Sequence, residues 1–397
     1  MKRPRLSPRT VVVLLLSSSS LLCAHTNSSS PSHSPAPTPP AYLHLKMVRI
    51  IDKVGFASPV EVVSLLVPSD WRFEGQVTWH PENKACLDPN SISSITYHAT
   101  SPNGLLSLER FPTSFWLWST NTNSTDSPCP TREPTSAASY IKDQLLPQVR
   151  PDAQVISAQP LPEMSRLTTE LAERNNAAAI NFGQQVTAKA DCARVLFEYR
   201  LDGHSVQESI LGTIITLSTR RPLVVYDKKS ASKTSTKYAE VFTIHASDFY
   251  ASRAPLEQTD ASNAVFARIL LSARFNPVWV AGRKEIVTQL KDSGDDSEGP
   301  LPQGKLVPLS ERELAEAYRR QAEARLPNAR QFDPGVLTLE TFIDPNTNQS
   351  VELNGGFEFA WSNNNDEFIL TNDPHFNPTA ELQGSWTQLK HVAAPKH

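Results

Sequence analysis

Histidines are the residues of this chain best suited to acid–base chemistry, and the ten of them are scattered. His80, His98 and His245 lie beside or within apolar segments, where an imidazole could act as a general base. No histidine pair has metal-ligand spacing on a helix, and no G-x-S-x-G, Walker, G-x-G-x-x-G or H-E-x-x-H motif occurs. We therefore interpret these histidines as structural, assign no catalytic, cofactor or metal residue, and favour a non-enzymatic protein.

An aromatic run at residues 115–118 contains Trp116 and Trp118. An exposed aromatic surface of this kind could bind a sugar, a lipid or a partner protein. The alternative is that these rings form the core of a sheet, and the pattern favours this alternative.

An oxygen-rich segment lies at residues 363–367, with Asp373 nearby. Carboxylate and carbonyl oxygens are the ligands that calcium prefers. The segment lacks an alternating Asp-x-Asp pattern, so an asparagine-rich turn between strands is the favoured interpretation, without a metal.

The N-terminus has the three-part layout of a secretory signal. A basic start with Lys2, Arg3 and Arg5 is followed by an apolar stretch, residues 10–22, which four serines dilute. A membrane span needs about 20 predominantly apolar residues, and this stretch is too short. Residues 1–24 are predicted to be a signal peptide, so we expect an exported protein of the periplasm or the cell surface.

Cys23 leaves two modes of cleavage open. As the acylated first residue of a lipoprotein it would anchor the chain to a membrane, and the Ser/Pro-rich residues 25–45 would form an extended tether. However, Leu22 stands where a bacterial lipobox normally has a small residue. Ordinary cleavage after Ala24 is equally compatible with the sequence.

Beyond the signal there are three cysteines, Cys86, Cys129 and Cys192. They form no CxxC and no Cys/His ligand spacing, so zinc is not expected. An oxidising compartment permits a disulfide, and Cys86 and Cys129 both lie in loop-like surroundings that flank two predicted strands. We favour this pair, with three free thiols as the alternative.

Chain length, net charge and proline content give three further predictions. At about 100–200 residues per domain, 397 residues predict two domains. The formal net charge of −3 gives no sign of the excess of basic residues that is typical of nucleic-acid-binding proteins. With 32 prolines against 14 glycines, many helices are expected to be short.

Periodicity predicts an α+β fold with an antiparallel sheet covered by helices in residues 46–290. Asp202-Gly203 between apolar alternating runs is its clearest hairpin signal. Residues 291–309 are charged and rich in glycine and proline, which is typical of a linker. Residues 310–397 are then predicted to form a second module, a helix that ends before Pro327 followed by a small β-meander.

Three stretches, residues 68–75, 99–104 and 361–378, resemble a family of exported bacterial proteins of unknown function. The N-terminal domain of that family is PsbP-like, an α/β/α sandwich around an antiparallel sheet. The resemblance implies binding or assembly at a membrane face, and it transfers no catalytic residues.

Three functions follow as hypotheses. The first is a non-enzymatic cell-envelope protein that binds a partner protein or a small ligand. The second is an extracytoplasmic hydrolase of a polymer, with two carboxylates about 5–10 Å apart across a cleft. The third is a structural component of an envelope assembly that uses residues 310–397 as a removable docking module.

Overall fold

The computed structural model describes residues 42–86, 88–120, 129–181, 186–226, 233–293, 301–306, 308–382 and 384–392. They belong to a compact unit that spans Ala41–His397. This unit combines antiparallel sheets with helices that come mostly between runs of strands, which is the α+β class that the periodicity predicted. The predicted signal peptide and Cys23 lie outside the described residues.

The strands range in length from two residues to 23 residues, and the two longest, β9 and β10, pair with each other. In chain order they are β1 Tyr42–Asp52, β2 Val60–Pro68, β3 Arg72–Trp79, β4 Ser93–Thr100, β5 Ser107–Arg110, β6 Ser114–Ser119, β7 Gln154–Pro160, β8 Val186–Leu201, β9 His204–Tyr226, β10 Lys233–Pro255, β11 Arg274–Phe275, β12 Leu339–Ile343, β13 Ser350–Asn354, β14 Phe359–Ser362, β15 Glu367–Thr371, β16 Thr387–Gln388 and β17 Lys390–His391.

The helices are mostly short, as the proline content predicted, with four longer ones that cover the sheets. They are α1 Pro89–Ile92, α2 Ala137–Tyr140, α3 Leu146–Val149, α4 Pro162–Asn181, α5 Thr259–Ser272, α6 Pro277–Ser293, α7 Glu311–Arg330 and α8 Pro378–Glu381.

The larger sheet has the strand order β3-β4-β5-β10-β9-β8-β7, and β6 pairs with β10 beside β5. The hairpin of β8 and β9 turns at Asp202 and Gly203. Their φ angles of 49° and 84° are both positive, as a two-residue type I′ turn requires. The Asp-Gly hairpin prediction is confirmed. The N-terminal part of β8 pairs with β9, as in Val186 with Thr219, and β9 pairs with β10 up to Tyr226.

A β-bulge interrupts β10 between Ser247 and Tyr250 and places Asp248 at φ 54°. Gly212 lies opposite on β9, and a Cβ atom there would come within 2.1 Å of the Phe249 ring. The glycine therefore makes room for Phe249, and the bulge turns Asp248 towards the cavity described below.

The second sheet has the order β11-β2-β1-β15-β14-β16, and a small third sheet has the order β13-β12-β17. β1 pairs with β15, for example Leu45 with Phe368, and with β2 on its other side. Segments on both sides of the predicted linker, residues 291–309, thus share one sheet. Removing residues 310–397 would expose one edge of β1, so we expect the remaining residues to lose stability without them.

The last long helix begins as predicted and ends later than predicted. Ser310 and Glu313 form a capping box at the start of α7. The helix continues through Pro327 to Arg330. Proline leaves the carbonyl of the residue four positions earlier without its helical partner. Here that residue is Glu323, which is exposed, so water can satisfy its carbonyl.

The main core lies where β2, β4 and β10 meet the helices α5, α6 and α7. Its large side chains are almost wholly withdrawn from water, and they include Trp71, Tyr97, Phe266, Trp279 and Phe332. Ring contacts run through it, such as Trp71 with Phe266 at 6.4 Å between centroids. Burial of these rings supplies much of the hydrophobic stabilisation.

Cys86 and Cys129 are joined by a disulfide, with their Cα atoms 5.3 Å apart. The bond closes a loop over a sequence separation of 43, for which the loss of chain entropy in the unfolded state corresponds to about 4 kcal/mol. We expect the double variant Cys86→Ser/Cys129→Ser to unfold at a clearly lower urea concentration. Dithiothreitol should destabilise the parent protein similarly and leave the variant unchanged; sensitivity of the variant to dithiothreitol would contradict this account.

Candidate ligand-binding cavity

A cavity of about 660 Å³ lies between the larger sheet and the helices α4, α6 and α7. Its volume is within the range of small-molecule binding sites. Strands β4, β5, β9 and β10 supply one wall, and the helices supply the other. Three arginines from three different elements line it, and their bonding is the most informative feature of the site.

Arg110 is the arginine of β5. It shares a face of the strand with Leu108, so the sheet directs it inwards, and only 6% of its surface is exposed. Its guanidinium donates to the carbonyl of Ile95 and lies 3.5 Å from a carboxylate oxygen of Asp248. Among the described residues, its Nε has no hydrogen-bond partner.

Arg283 projects from α6 and lies over the ring of Trp279, with 5.0 Å between the guanidinium carbon and the ring centroid. Its terminal nitrogens donate to Ser93 Oγ at 3.3 Å and Asn90 Oδ1 at 3.4 Å. Nε again lacks a partner within the described part of the chain. Burial lowers the pKa of Arg283 to about 10, an effect that Asp88 opposes, so the group stays cationic at neutral pH.

Arg325 projects from α7. Gln321 of the same helix is hydrogen-bonded to β11. The Gln321 amide accepts from the Phe275 N–H at 2.9 Å and donates to the Phe275 carbonyl at 2.8 Å. The Nε of Arg325 donates to the Gln321 carbonyl at 3.2 Å. Both terminal nitrogens are buried and have no hydrogen-bond partner among the residues described. Burial lowers the pKa of Arg325 to about 10, which leaves it charged at neutral pH.

Two carboxylates and a histidine complete the polar wall. Asp88 caps α1 by accepting from the Asn90 N–H at 2.7 Å, and it lies 3.9 Å from Nε2 of His245. Burial lowers the pKa of His245, so its imidazole is neutral at neutral pH. Asp248 lies beside Arg110. Each carboxylate of the cavity is therefore next to a basic side chain.

Positive charge predominates in the cavity. With His245 neutral, four cations face two carboxylates: Arg110, Arg283, Lys284 and Arg325 against Asp88 and Asp248. A buried guanidinium N–H without a partner is costly for a protein. An anion in the cavity would supply the missing acceptors and offset the excess charge. The arrangement is therefore suited to hold an anion.

The structure places the two predicted binding tryptophans away from this cavity. Trp116 is 2% exposed and stacks on Tyr140 at 5.7 Å between ring centroids. Trp118 is half-buried and packs on Phe242 at 5.3 Å. The ring of Trp116 belongs to the core, which is the alternative that the pattern favoured over an exposed aromatic surface.

The other candidate histidines make local contacts. His80 links Glu82 and Ser94 at 3.0 Å each, which fastens the turn after β3 to β4. His98 lies 3.0 Å from Thr100 Oγ1 on the same strand. Of the three histidines considered from the sequence, His245 is the one that lines the arginine cavity.

The asparagine-rich segment forms a turn whose oxygens are largely used by the protein. Asn363 Oδ1 accepts from the N–H groups of Asn365 and Glu367 at 2.9 and 3.1 Å. Asp366 is paired with Arg49 at 2.6 Å. Within the described residues, no group of three or more potential metal ligands lies together.

Sequence reasoning did not find the arginines. One signal was present: Arg110 alternates with Leu108 on the inward face of a predicted strand, where a charge is unusual. Arg283 and Arg325 lie in helices with several other charged residues, and nothing in their spacing marks them as buried.

No protein-family model, no curated protein and no solved structure matches this chain. In the part of the chain that the structure describes, no helix is both long and apolar enough to cross a membrane.

Proposed function

We propose that this protein is a non-enzymatic binding protein that holds a small anionic ligand in the arginine-lined cavity. The observation that carries the proposal is Arg325, whose two terminal nitrogens are buried without a partner among the described residues. A guanidinium presents its N–H groups as a planar fork that matches a carboxylate or phosphate. Arg110 and Arg283 line the same cavity, and the Nε of each has no partner in the part of the chain that the structure describes.

Buried polar groups of folded proteins are nearly always hydrogen-bonded. Three cationic side chains with unpaired N–H groups around one cavity are therefore better explained by a bound anion than by folding stability. The paired-carboxylate hydrolase remains the alternative, since Asp88 and Asp248 border the same cavity. We favour binding because each of these carboxylates lies beside a basic group, whereas the arginines retain unused donors.

Location and fold family belong to the same proposal. The basic and apolar N-terminus supports export, and the Cys86–Cys129 disulfide is typical of an oxidising compartment. We therefore place the protein in the periplasm or at the cell surface, tethered through Cys23 if that residue is acylated. A PsbP-like arrangement of the α+β fold stays a proposal that rests on the short resemblance.

The test is calorimetric titration of the full chain with acetate, succinate, citrate and inorganic phosphate at constant ionic strength. Glucose and putrescine serve as neutral and cationic probes. We expect at least one of the anions to bind and neither of the other two probes. Arg325→Gln should weaken anion binding at least about 30-fold. Arg319→Gln is the matched control, because Arg319 lies on the exposed face of α7 and pairs with Glu316.

Thermal unfolding without ligand separates this role from a structural one. Because Arg325→Gln removes buried terminal N–H groups that have no acceptor among the described residues, the variant should unfold at the parent temperature or above it. A lower unfolding temperature combined with unchanged anion binding would make Arg325 a structural residue. Failure of every anion to bind would overturn the proposed function.

A further inference from the structure

The three arginines form a series along the cavity. Arg110 and Arg283 both donate hydrogen bonds to β4, at acceptors two residues apart. The Arg110 guanidinium also lies over the ring of Phe275, with its carbon 5.6 Å from the ring centroid. Phe275 is hydrogen-bonded to Gln321, whose carbonyl accepts from Arg325. Arg110 is thus the middle member, with Arg283 on one side and Arg325 on the other.

The two ends differ in what they already bind. At one end, both terminal nitrogens of Arg283 donate, to Ser93 and Asn90, and only its Nε is without a partner among the described residues. At the other end, the terminal nitrogens of Arg325 have no hydrogen-bond partner among the described residues. Arg325 can therefore bind an anionic group with two hydrogen bonds. The cavity therefore offers a stronger and a weaker site for negative charge.

The cavity wall also has apolar parts. Ile95, Ile215, Leu217 and Val280 line it together with the arginines. Such side chains favour contact with a hydrocarbon part of a ligand over contact with a sugar or a continuous polar chain. The four cations of the cavity exceed its carboxylates by two, so two negative charges on a ligand would balance them.

From these features we infer that the ligand is an elongated dianion, an aliphatic acid with one negative group at each end. One group binds Arg325, and the other binds Arg283 with help from the Nε of Arg110. The inference rests on the proposed function and adds the class of ligand and its orientation.

The experiment is calorimetric titration of the full chain with two matched series. One contains the α,ω-dicarboxylates from succinate to azelate, and the other contains unbranched monocarboxylates of the same carbon numbers. Inorganic phosphate serves as a compact anion. We expect one dicarboxylate length to bind at least about 10-fold more tightly than its monocarboxylate counterpart. Arg325→Gln and Arg283→Gln should each remove this advantage, whereas Arg319→Gln should keep it.

The outcomes separate the inference from the function on which it rests. If monocarboxylates bind as tightly as dicarboxylates, or if phosphate binds best and depends on one arginine only, the elongated dianion is wrong while anion binding stands. If no anion binds, both proposals fail. Circular dichroism and thermal unfolding of each variant check that a lost affinity does not come from a lost fold.

Discussion

Replacing Arg150 with methionine is expected to lower the free energy of unfolding by about 3–5 kcal/mol, because it leaves a buried carboxylate unpaired. The Glu208 side chain is fully buried. Arg150 donates to its two oxygens, from Nε and Nη2, at 3.0 Å each. Tyr199 donates to the same carboxylate at 2.5 Å, and Arg150 also reaches Glu109 at 2.9 Å. Without the guanidinium, Tyr199 cannot compensate the charge of Glu208.

Urea unfolding followed by circular dichroism measures the effect. Arg200→Met is the matched control. Arg200 lies on β8, next to the strand β9 that carries Glu208, and it is exposed and donates to the Gly203 carbonyl. It should change the free energy of unfolding by less than about 1 kcal/mol. The double variant Arg150→Met/Glu208→Leu should recover much of the loss, because no charge is then left buried. A cost below about 1 kcal/mol for Arg150→Met would contradict the account.

Replacing Asp52 with alanine is the second change with a large expected effect. Asp52 is 1% exposed and accepts hydrogen bonds from the backbone N–H groups of Val54 and Gly55 at 2.9 and 3.0 Å. The indole N–H groups of Trp79 and Trp279 donate to it at 3.1 and 2.9 Å. One carboxylate thus satisfies a turn and two tryptophans from different parts of the chain.

Asp52→Ala leaves four donors without this acceptor, of which the Trp279 indole N–H is buried and the other three are partly buried. An unsatisfied buried donor costs about 1–3 kcal/mol. We expect a total loss of about 3–5 kcal/mol in urea unfolding, followed by tryptophan fluorescence. Asp52→Asn should cost less, because its amide oxygen can still accept. Asp152→Ala, an exposed aspartate, is the control and should cost less than about 1 kcal/mol. Equal stability of Asp52→Ala and the control would refute the role of this carboxylate.

Asp52 also links stability to the cavity. Trp279 lies under the guanidinium of Arg283, and the hydrogen bond from its indole N–H to Asp52 sets the position of that ring. Under conditions where Asp52→Asn remains folded, its anion affinity should therefore fall more than that of Asp152→Ala. The same calorimetric titration measures both.

Local signals in the sequence predicted local structure well. The Asp202-Gly203 turn needs left-handed backbone at two successive residues, and few dipeptides other than Asp-Gly and Asn-Gly favour it. The capping box at Ser310 likewise depends on residues three positions apart. Such features are stabilised by contacts within a few residues, so the sequence alone is enough to recognise them.

The predicted organisation of the C-terminal residues shows the limit of local signals. A Gly/Pro-rich stretch before Ser310 has the composition of a linker. The pairing of β15 with β1 cannot be read from composition, since it joins distant strands through backbone hydrogen bonds that most residue types can make. Burial of Leu45 and Phe368 in one core holds that pairing together.

By itself, the sequence determined the α+β class, the strong turns and the N-terminal pattern that predicts export. The tertiary structure alone decided that Arg110, Arg283 and Arg325 surround one cavity. Their side chains come from a strand and two helices that are far apart in the chain, and no spacing relates them. An arginine in a charged helix has the same local pattern whether it faces water or a cavity. Only the packing of α6 and α7 against the larger sheet removes these guanidinium groups from water and leaves them with N–H groups that no described residue accepts. The proposal of anion binding rests on that arrangement.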